Sequence, residues 1–182
     1  MTDDEKTLIA KAQQGQTWAF EKLVRQYDRR VLDIAMRITQ NPQDAEDIFQ
    51  EVWLRVHQNI GQFRYGSAFY TWLYRITVNT AVSSMKSRKR TQYRPVEEIL
   101  ASCPSGEARP DAALHQEELH ERIQNGLDRL SMKQRVIFTL KHYEDFKIKD
   151  IAEIVSCSEG TVKNSLFRSA EKMRRALAGY AS

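Results

Sequence analysis

Residues 41–89 read NPQDAEDIFQEVWLRVHQNIGQFRYGSAFYTWLYRITVNTAVSSMKSRK, and the periodicity inside them decides the fold. Asn41 offers a side-chain oxygen to cap a helix, and Pro42 suits the first helical position because its missing N–H would have no partner there. Asp44, Glu46 and Asp47 then crowd the first turn, where the partial positive charge of a helix N-terminus favours carboxylates. Ala45, Ile48, Phe49, Val52, Trp53 and Val56 recur at three- and four-residue steps, which predicts one buried stripe. Asp47, Gln50, Glu51 and Leu54 fall together on another face. Beyond a short loop, Phe69, Trp72, Leu73 and Ile76 form a second stripe, with Tyr70, Tyr74, Arg75 and Asn79 on other faces.

The loop from Gly61 to Ser67 gathers unlike chemistry in a small space. Phe63, Arg64 and Tyr65 sit beside Gly66 and Ser67, which puts two rings and a phosphate-pairing cation where there is little bulk. An unpaired base could stack there, at ~1–3 kcal/mol per base. An ordinary helix–helix loop whose Phe63 folds back into the core fits the same letters. Asn79, on the following helix, carries an amide that can donate to and accept from a base edge. Lys86, Arg88, Lys89, Arg90 and Arg94 follow with no acid among them, the composition of a phosphate clamp or of a solvated helix end.

Upstream, Leu8, Ile9 and Ala12 predict a short helix that Gly15 can end. A longer helix over about Thr17 to Thr39 carries Phe20, Leu23, Val24, Tyr27, Val31, Ile34, Ala35 and Ile38 on one stripe. No stretch shows convincing strand alternation, so the expected class is all-α. From about Arg94 to Asp111 the texture changes: RPVEEILASCPSGEARPD holds three of the four prolines, with Ser and Gly, and reads as a linker. Such a segment spans ~23 Å as a coil and about 60 Å fully stretched. The expected division is residues 1–93, a linker at 94–110, and a second domain at 111–182.

The second domain opens with Leu114, Leu119, Ile123, Leu127 and Leu130 at helical spacing. Ser131 and Gln134 form a capping box for a helix with Val136, Ile137 and Leu140 inside. KIKDIAEIV then predicts a short helix, SCS a tight turn, and EGTVKNSLFRSAEKMRRAL a longer helix capped by Ser158. Short helix, tight turn and long helix is helix-turn-helix geometry, in which the second helix enters the DNA major groove. Val162, Leu166, Ala170, Met173 and Leu177 share its inner face, leaving Lys163, Asn164, Phe167 and Arg168 outward. Lysine or arginine can pair with guanine, asparagine with adenine, and phenylalanine can touch a thymine methyl. The N–H groups of Glu159, Gly160 and Thr161 open this helix and could hold a phosphate.

DAEDIFQEVW followed by QFRYGSAFYTWLYRITVN resembles the second domain of bacterial extracytoplasmic-function sigma factors, the two-domain class of promoter-specificity subunits, and the helix-turn-helix resembles their fourth domain. The resemblance implies two small helical domains joined by a flexible linker. By position it implies that Asp47, Gln50, Glu51 and Leu54 bind the β′ clamp helices of core RNA polymerase, with the β flap a second contact. It implies that Phe63, Arg64, Tyr65, Gly66, Ser67 and Asn79, with Arg88, Lys89 and Arg90, hold the non-template strand of the minus-ten element. Ser158, Gly160, Thr161, Lys163, Asn164, Phe167 and Arg168 would read the minus-thirty-five element. Members commonly read FRGDSAF where this chain reads FRYGSAF, so an acid is lost and a tyrosine gained where the captured base is chosen. They usually have LP where this chain has Leu130 and Ser131, a change confined to a helix cap. The partners implied are core polymerase, promoter DNA and an anti-sigma factor.

Composition is compatible with this and excludes much else. The 182 residues are 41% hydrophobic and 29% charged, with a formal charge of +4, so the distribution of charge matters more than its sum. No run of 18 or more apolar residues occurs and MTDDEKTL is unlike a secretory signal, so a cytoplasmic protein without membrane insertion is expected. Cys103 and Cys157 lie far apart without a Cys/His cluster, which predicts two reduced thiols. His57, His115, His120 and His142 lack ligand spacing, and there is no Gly-rich phosphate loop, HExxH or GxSxG. No enzyme activity, cofactor, metal or homodimer is expected. Two other binding-protein readings remain: a dimeric helix-turn-helix regulator, which leaves the acidic helix and aromatic loop without a task, and a sigma mimic that titrates an anti-sigma protein, which should have lost the cations Lys163 and Arg168.

Overall fold

The computed structural model describes residues 3–91 and 122–178, and every regular element among them is helical. The first group comprises α1 (Asp3–Gln13), α2 (Thr17–Thr39), α3 (Pro42–Asn59) and α4 (Phe69–Thr91), with a 3₁₀ turn at Ile60–Gln62 between the last two. The second comprises α5 (122–128), α6 (Met132–His142), α7 (Ile148–Ile154) and α8 (Glu159–Leu177). The expected linker at 94–110, Leu114, Leu119, His115, His120 and Cys103 lie outside the described residues.

The expected signals set the helix ends. Gly15 takes a φ of +81° after α1, a conformation in which a Cβ would be strained. Gln40 ends α2 in the left-handed region, with its N–H donating to the Met36 carbonyl. Asn41 accepts from the Asp44 N–H at 3.0 Å, and Pro42 takes the first position of α3. Ser131 and Gln134 complete a reciprocal capping box on α6. Ser158 caps α8 by accepting from the Thr161 N–H at 3.2 Å.

The predicted stripes face the core, with Phe20, Val24, Phe49, Trp72, Ile76 and Leu166 half-buried at its edge. Ile9, Leu23, Val31, Ile34, Ile38, Ile48, Val52 and Leu73 fill the first group. The Tyr27 hydroxyl donates to the Glu5 carboxylate inside it, fastening α1 to α2. Burial, and then that carboxylate, push the Tyr27 phenol above its ordinary value. In the second group Gly126 lets α5 approach α8 closely, since a Cβ there would lie 2.8 Å from the Met173 sulfur.

The two groups share one core. Val136, Ile137, Leu140, Phe146, Ile151, Ile154 and Val162 belong to the same apolar cluster as the side chains of α1–α4, with α6 packed on α2 and α7 on α4. This contact corrects one reading. Tyr74, placed by periodicity on a face away from the core, is 1% exposed because Phe146 covers it.

Candidate polymerase and nucleic-acid interfaces

On α3 the buried stripe of Ala45, Ile48, Val52, Trp53 and Val56 turns a second face outward. Asp47, Gln50, Glu51 and Leu54 are all exposed on it, and Leu54 keeps 55% of its surface in contact with solvent. Glu51 accepts from the Arg55 guanidinium at 2.6 Å one helical turn on, which holds its carboxylate in place. An exposed leucine rimmed by acids is a surface suited to a basic, partly apolar partner.

The loop after α3 brings the aromatic residues together but sorts them by depth. Phe63 is 5% exposed, its ring 5.5 Å from Phe69 and 5.4 Å from Trp72. Its expected role as a base contact is therefore corrected: the ring is committed to the core, where three aromatic neighbours cover it. Tyr65 is the ring left outside, 42% exposed and 5.0 Å from Phe63. Its φ of +58° is left-handed, unusual for a residue with a Cβ, and turns the chain so that Arg64 and Gly66 are also exposed. Ser67 is half-buried.

Asn79 is exposed on α4 and lines, with Arg55, Asn59, Gln62, Trp72 and Ile76, an open cavity of ≈ 260 Å³. Carboxamides around an indole can stack a flat ring and hydrogen-bond its edge. Arg88, Lys89 and Arg90 continue α4, and their side chains lie outside the described residues. Sequence reasoning missed Gln13. Its amide donates to the carbonyls of Ile60 and Phe63, both at 2.9 Å, and so ties α1 to both sides of the loop. A glutamine at the end of a short amphipathic helix carries no signal of such a reach.

In the second group α7, a turn and α8 make the helix-turn-helix. Ser156 turns the chain at φ +52°, and the Cys157 N–H donates to the Ala152 carbonyl at 2.9 Å. Val162 and Met173 anchor the inner side of α8. Lys163, Asn164, Phe167 and Arg168 are all exposed, Phe167 at 75%. An aromatic ring so open on a well-packed helix is an unpaid apolar surface, and two cations and an amide beside it give the composition of a major-groove reader. Ser158 and Gly160 are exposed and Thr161 half-buried at the start of α8, where the Thr161 N–H expected to hold a phosphate is taken by the Ser158 hydroxyl.

Comparison with known proteins agrees with this geometry. The family description "Sigma-70 region 2" matches residues 23–91, and "Sigma-70, region 4" matches 120–173. The chain is 30% identical to the RNA polymerase sigma-H factor of Pseudomonas aeruginosa, over 96% of its own length and 94% of the relative's. It is 33% identical to the ECF RNA polymerase sigma-E factor of Haemophilus influenzae, over 92% of each chain. Among solved structures, CnrH in complex with the cytosolic domain of CnrY superposes with a TM-score of 0.70 at 21% identity, covering 96% of this chain and 97% of that one. RpoE of Bartonella quintana, in complex with the anti-sigma factor NepR, superposes at 0.69 and 23% identity, covering 88% and 97%. At these identities the superpositions speak for the fold.

Proposed function

The chain belongs to the extracytoplasmic-function sigma factors of bacterial RNA polymerase, proteins that direct core polymerase to specific promoters, and we propose that its two helical groups divide promoter recognition between them. Residues 1–93 act as domain two, docking on polymerase through Asp47, Gln50, Glu51 and Leu54 and holding minus-ten bases through the Tyr65 loop and Asn79. Phe63 serves that site from beneath, as the floor of the loop. Residues 111–182 act as domain four and read the minus-thirty-five element through Lys163, Asn164, Phe167 and Arg168. The observation that carries this assignment is the outward face of α8, where a 75% exposed phenylalanine lies among exposed cations and an amide.

Magnitudes say why polymerase is required. Opening about ten base pairs costs roughly 14 kcal/mol at ~1.4 kcal/mol per stacking step. Two or three stacked bases return ~2–9 kcal/mol. The chain alone binds but does not melt, and polymerase supplies the difference. The family consists of transcription factors, and this reading gives the chain no catalytic step and places it in the cytoplasm with the polymerase. RpoE of Bartonella quintana is bound by the anti-sigma factor NepR; an inhibitor of that class covering the polymerase- and DNA-facing surfaces would keep this chain silent until a stress or envelope signal removes it.

Run-off transcription by purified core polymerase on genomic templates tests the reading. Discrete new transcripts are expected with this protein, fading with a Gln50→Ala/Glu51→Ala variant. Specific duplex binding without transcripts would instead mark a dimeric regulator, and neither activity would mark a mimic.

A further inference from the structure

The 3₁₀ turn at Ile60–Gln62 and the residue after it turn two carbonyls toward one side chain. The Gln13 amide, at the end of α1, donates to the Ile60 oxygen and to the Phe63 oxygen, both at 2.9 Å. Only a donor fits between two converging acceptors, and a primary amide has two hydrogens to give. The helix that carries it is itself held. Ile9 and Ala12 are buried, and the buried Glu5 carboxylate accepts from the Tyr27 hydroxyl. Glu5 lies ~12 Å from Gln13 along the helix axis. Helix α1 is therefore a strut, fixed in the core at one end and bearing on the loop at the other.

Phe63 is where the strut bears. Its ring is held beneath the loop by Phe69 and Trp72, but a ring held through Cβ leaves the peptide that follows free to turn. That peptide is planar, so the direction of the Phe63 carbonyl fixes the plane in which the chain leaves for Arg64 and Tyr65. Among the described residues no second donor meets the Phe63 oxygen. We propose that Gln13 is a positioning residue for minus-ten base capture: by holding the Phe63–Arg64 peptide it sets where the Tyr65 ring and the Arg64 cation stand before DNA arrives. The proposal rests on the base-capture reading of this loop. A loop in its competent shape for only a fraction of the time binds more weakly by that fraction. The loss falls on promoter opening, the step in which a base leaves the duplex, and spares the docking of α3 on polymerase.

Two substitutions separate the donor from its stem. Gln13→Met keeps the length and loses both hydrogens. Gln13→Lys returns a donor, and an open cavity of ≈ 210 Å³ lined by Gln13, Gln16, His57 and Gly61 gives its extra methylene room. The same cavity lets water reach the freed carbonyls, so Gln13→Met should melt within about 4 °C of wild type. Backbone order parameters of the free chain, measured by NMR at residues 64–66, should be near ~0.8 in wild type, below about 0.6 in Gln13→Met, and restored in Gln13→Lys, where no phosphate is present to assist the new cation. With core polymerase, Gln13→Met should dock within about twofold of wild type, while the rate of promoter opening read by permanganate should fall about five- to twentyfold and recover most of the way in Gln13→Lys. Unchanged order parameters in Gln13→Met, or a wild-type loop already below about 0.6, would overturn the strut. A loosened loop with an unchanged opening rate would overturn the positioning role. So would a parallel loss of polymerase affinity, or a Gln13→Lys variant as defective as Gln13→Met, since either would mark lost packing in place of a lost donor. Absence of wild-type run-off transcripts would sink the sigma-factor reading, and the order parameters of the free chain would still decide whether Gln13 holds the loop.

Discussion

The Arg135 guanidinium and the Ile38 carbonyl, 97 positions apart in the chain, meet at 3.1 Å in the buried seam between α6 and α2. The same guanidinium donates to the Leu127 carbonyl at 3.1 Å and reaches Asp128 at 3.4 Å, so one side chain fastens α5 to α6 and both to α2. Burial lowers its pKa, against the opposing pull of Asp128. Replacing it with methionine keeps the stem's packing and leaves two carbonyls without their donor. Arg135→Met should cost about 2–4 kcal/mol of stability, measured by urea denaturation. A midpoint within error of wild type would show that water satisfies both carbonyls.

Leu54 is exposed and makes no contribution to the core, so Leu54→Asp should leave the melting temperature within the scatter expected of a surface change. Docking should suffer. The expected loss is at least about tenfold in polymerase affinity, ~1.4 kcal/mol, read by fluorescence anisotropy. Equal binding by the variant would remove Leu54 from the proposed interface.

On α8 the proposed roles differ in kind and so should the phenotypes. Phe167→Ala should cost ~1–3 kcal/mol on the matching promoter and little on unrelated DNA, while Lys163→Ala, if its ammonium meets phosphate, should weaken both and lower the salt slope by about one. Binding isotherms at three salt concentrations separate them. Identical losses for Phe167→Ala on both DNAs would place the ring outside base readout.

Glu144 gives the fold a pH dependence. It sits between the groups, accepting from the Tyr74 hydroxyl at 3.3 Å, with Arg30, Asp33 and Arg37 of α2 close enough to act on it. Burial raises its pKa above 4.5, outweighing the Tyr74 hydrogen bond and the Arg30 charge. The folded form therefore holds its proton longer than the unfolded one. The corresponding stability is fully present below the unfolded value and is lost as pH rises through the raised folded value. Glu144→Gln removes that slope, so its melting temperature relative to wild type should climb as pH goes from about 4 to 7. A constant difference across the range would count against a desolvated carboxyl.

How much of this the sequence made legible follows from the range of each interaction. The helix predicted over Thr17 to Thr39 is found at Thr17–Thr39, and the caps at Asn41, Ser131 and Ser158 form as read, because periodicity and capping act within a few residues. The exposed residues of α3 and α8 follow from the same periodicity. Phe63 did not, because two readings fitted its loop and packing against Phe69 and Trp72 chose between them. Tyr74, Arg135 and Gln13 were beyond reach for a stronger reason. Each is placed by a partner at least 47 positions away, and local pattern carries no record of that partner.

Tyr65 permits the sharpest separation of stability from function. Its left-handed backbone, φ +58°, is strained for a side chain by roughly 1–2 kcal/mol, while its ring is 42% exposed and touches Phe63. Glycine adopts that conformation freely. Tyr65→Gly should therefore leave the protein as stable as wild type or slightly more so, since relief of strain offsets the lost ring contact and the added unfolded-state entropy. If the ring is the platform for the captured base, open-complex formation should fall about five- to a hundredfold, the equivalent of ~1–3 kcal/mol of stacking. Tyr65→Phe, which keeps the ring, should stay near wild type in permanganate footprinting of the minus-ten region. Should Tyr65→Gly open promoters as well as wild type, base capture would pass to the cavity beside Asn79, and substitution of Trp72 would become the decisive experiment.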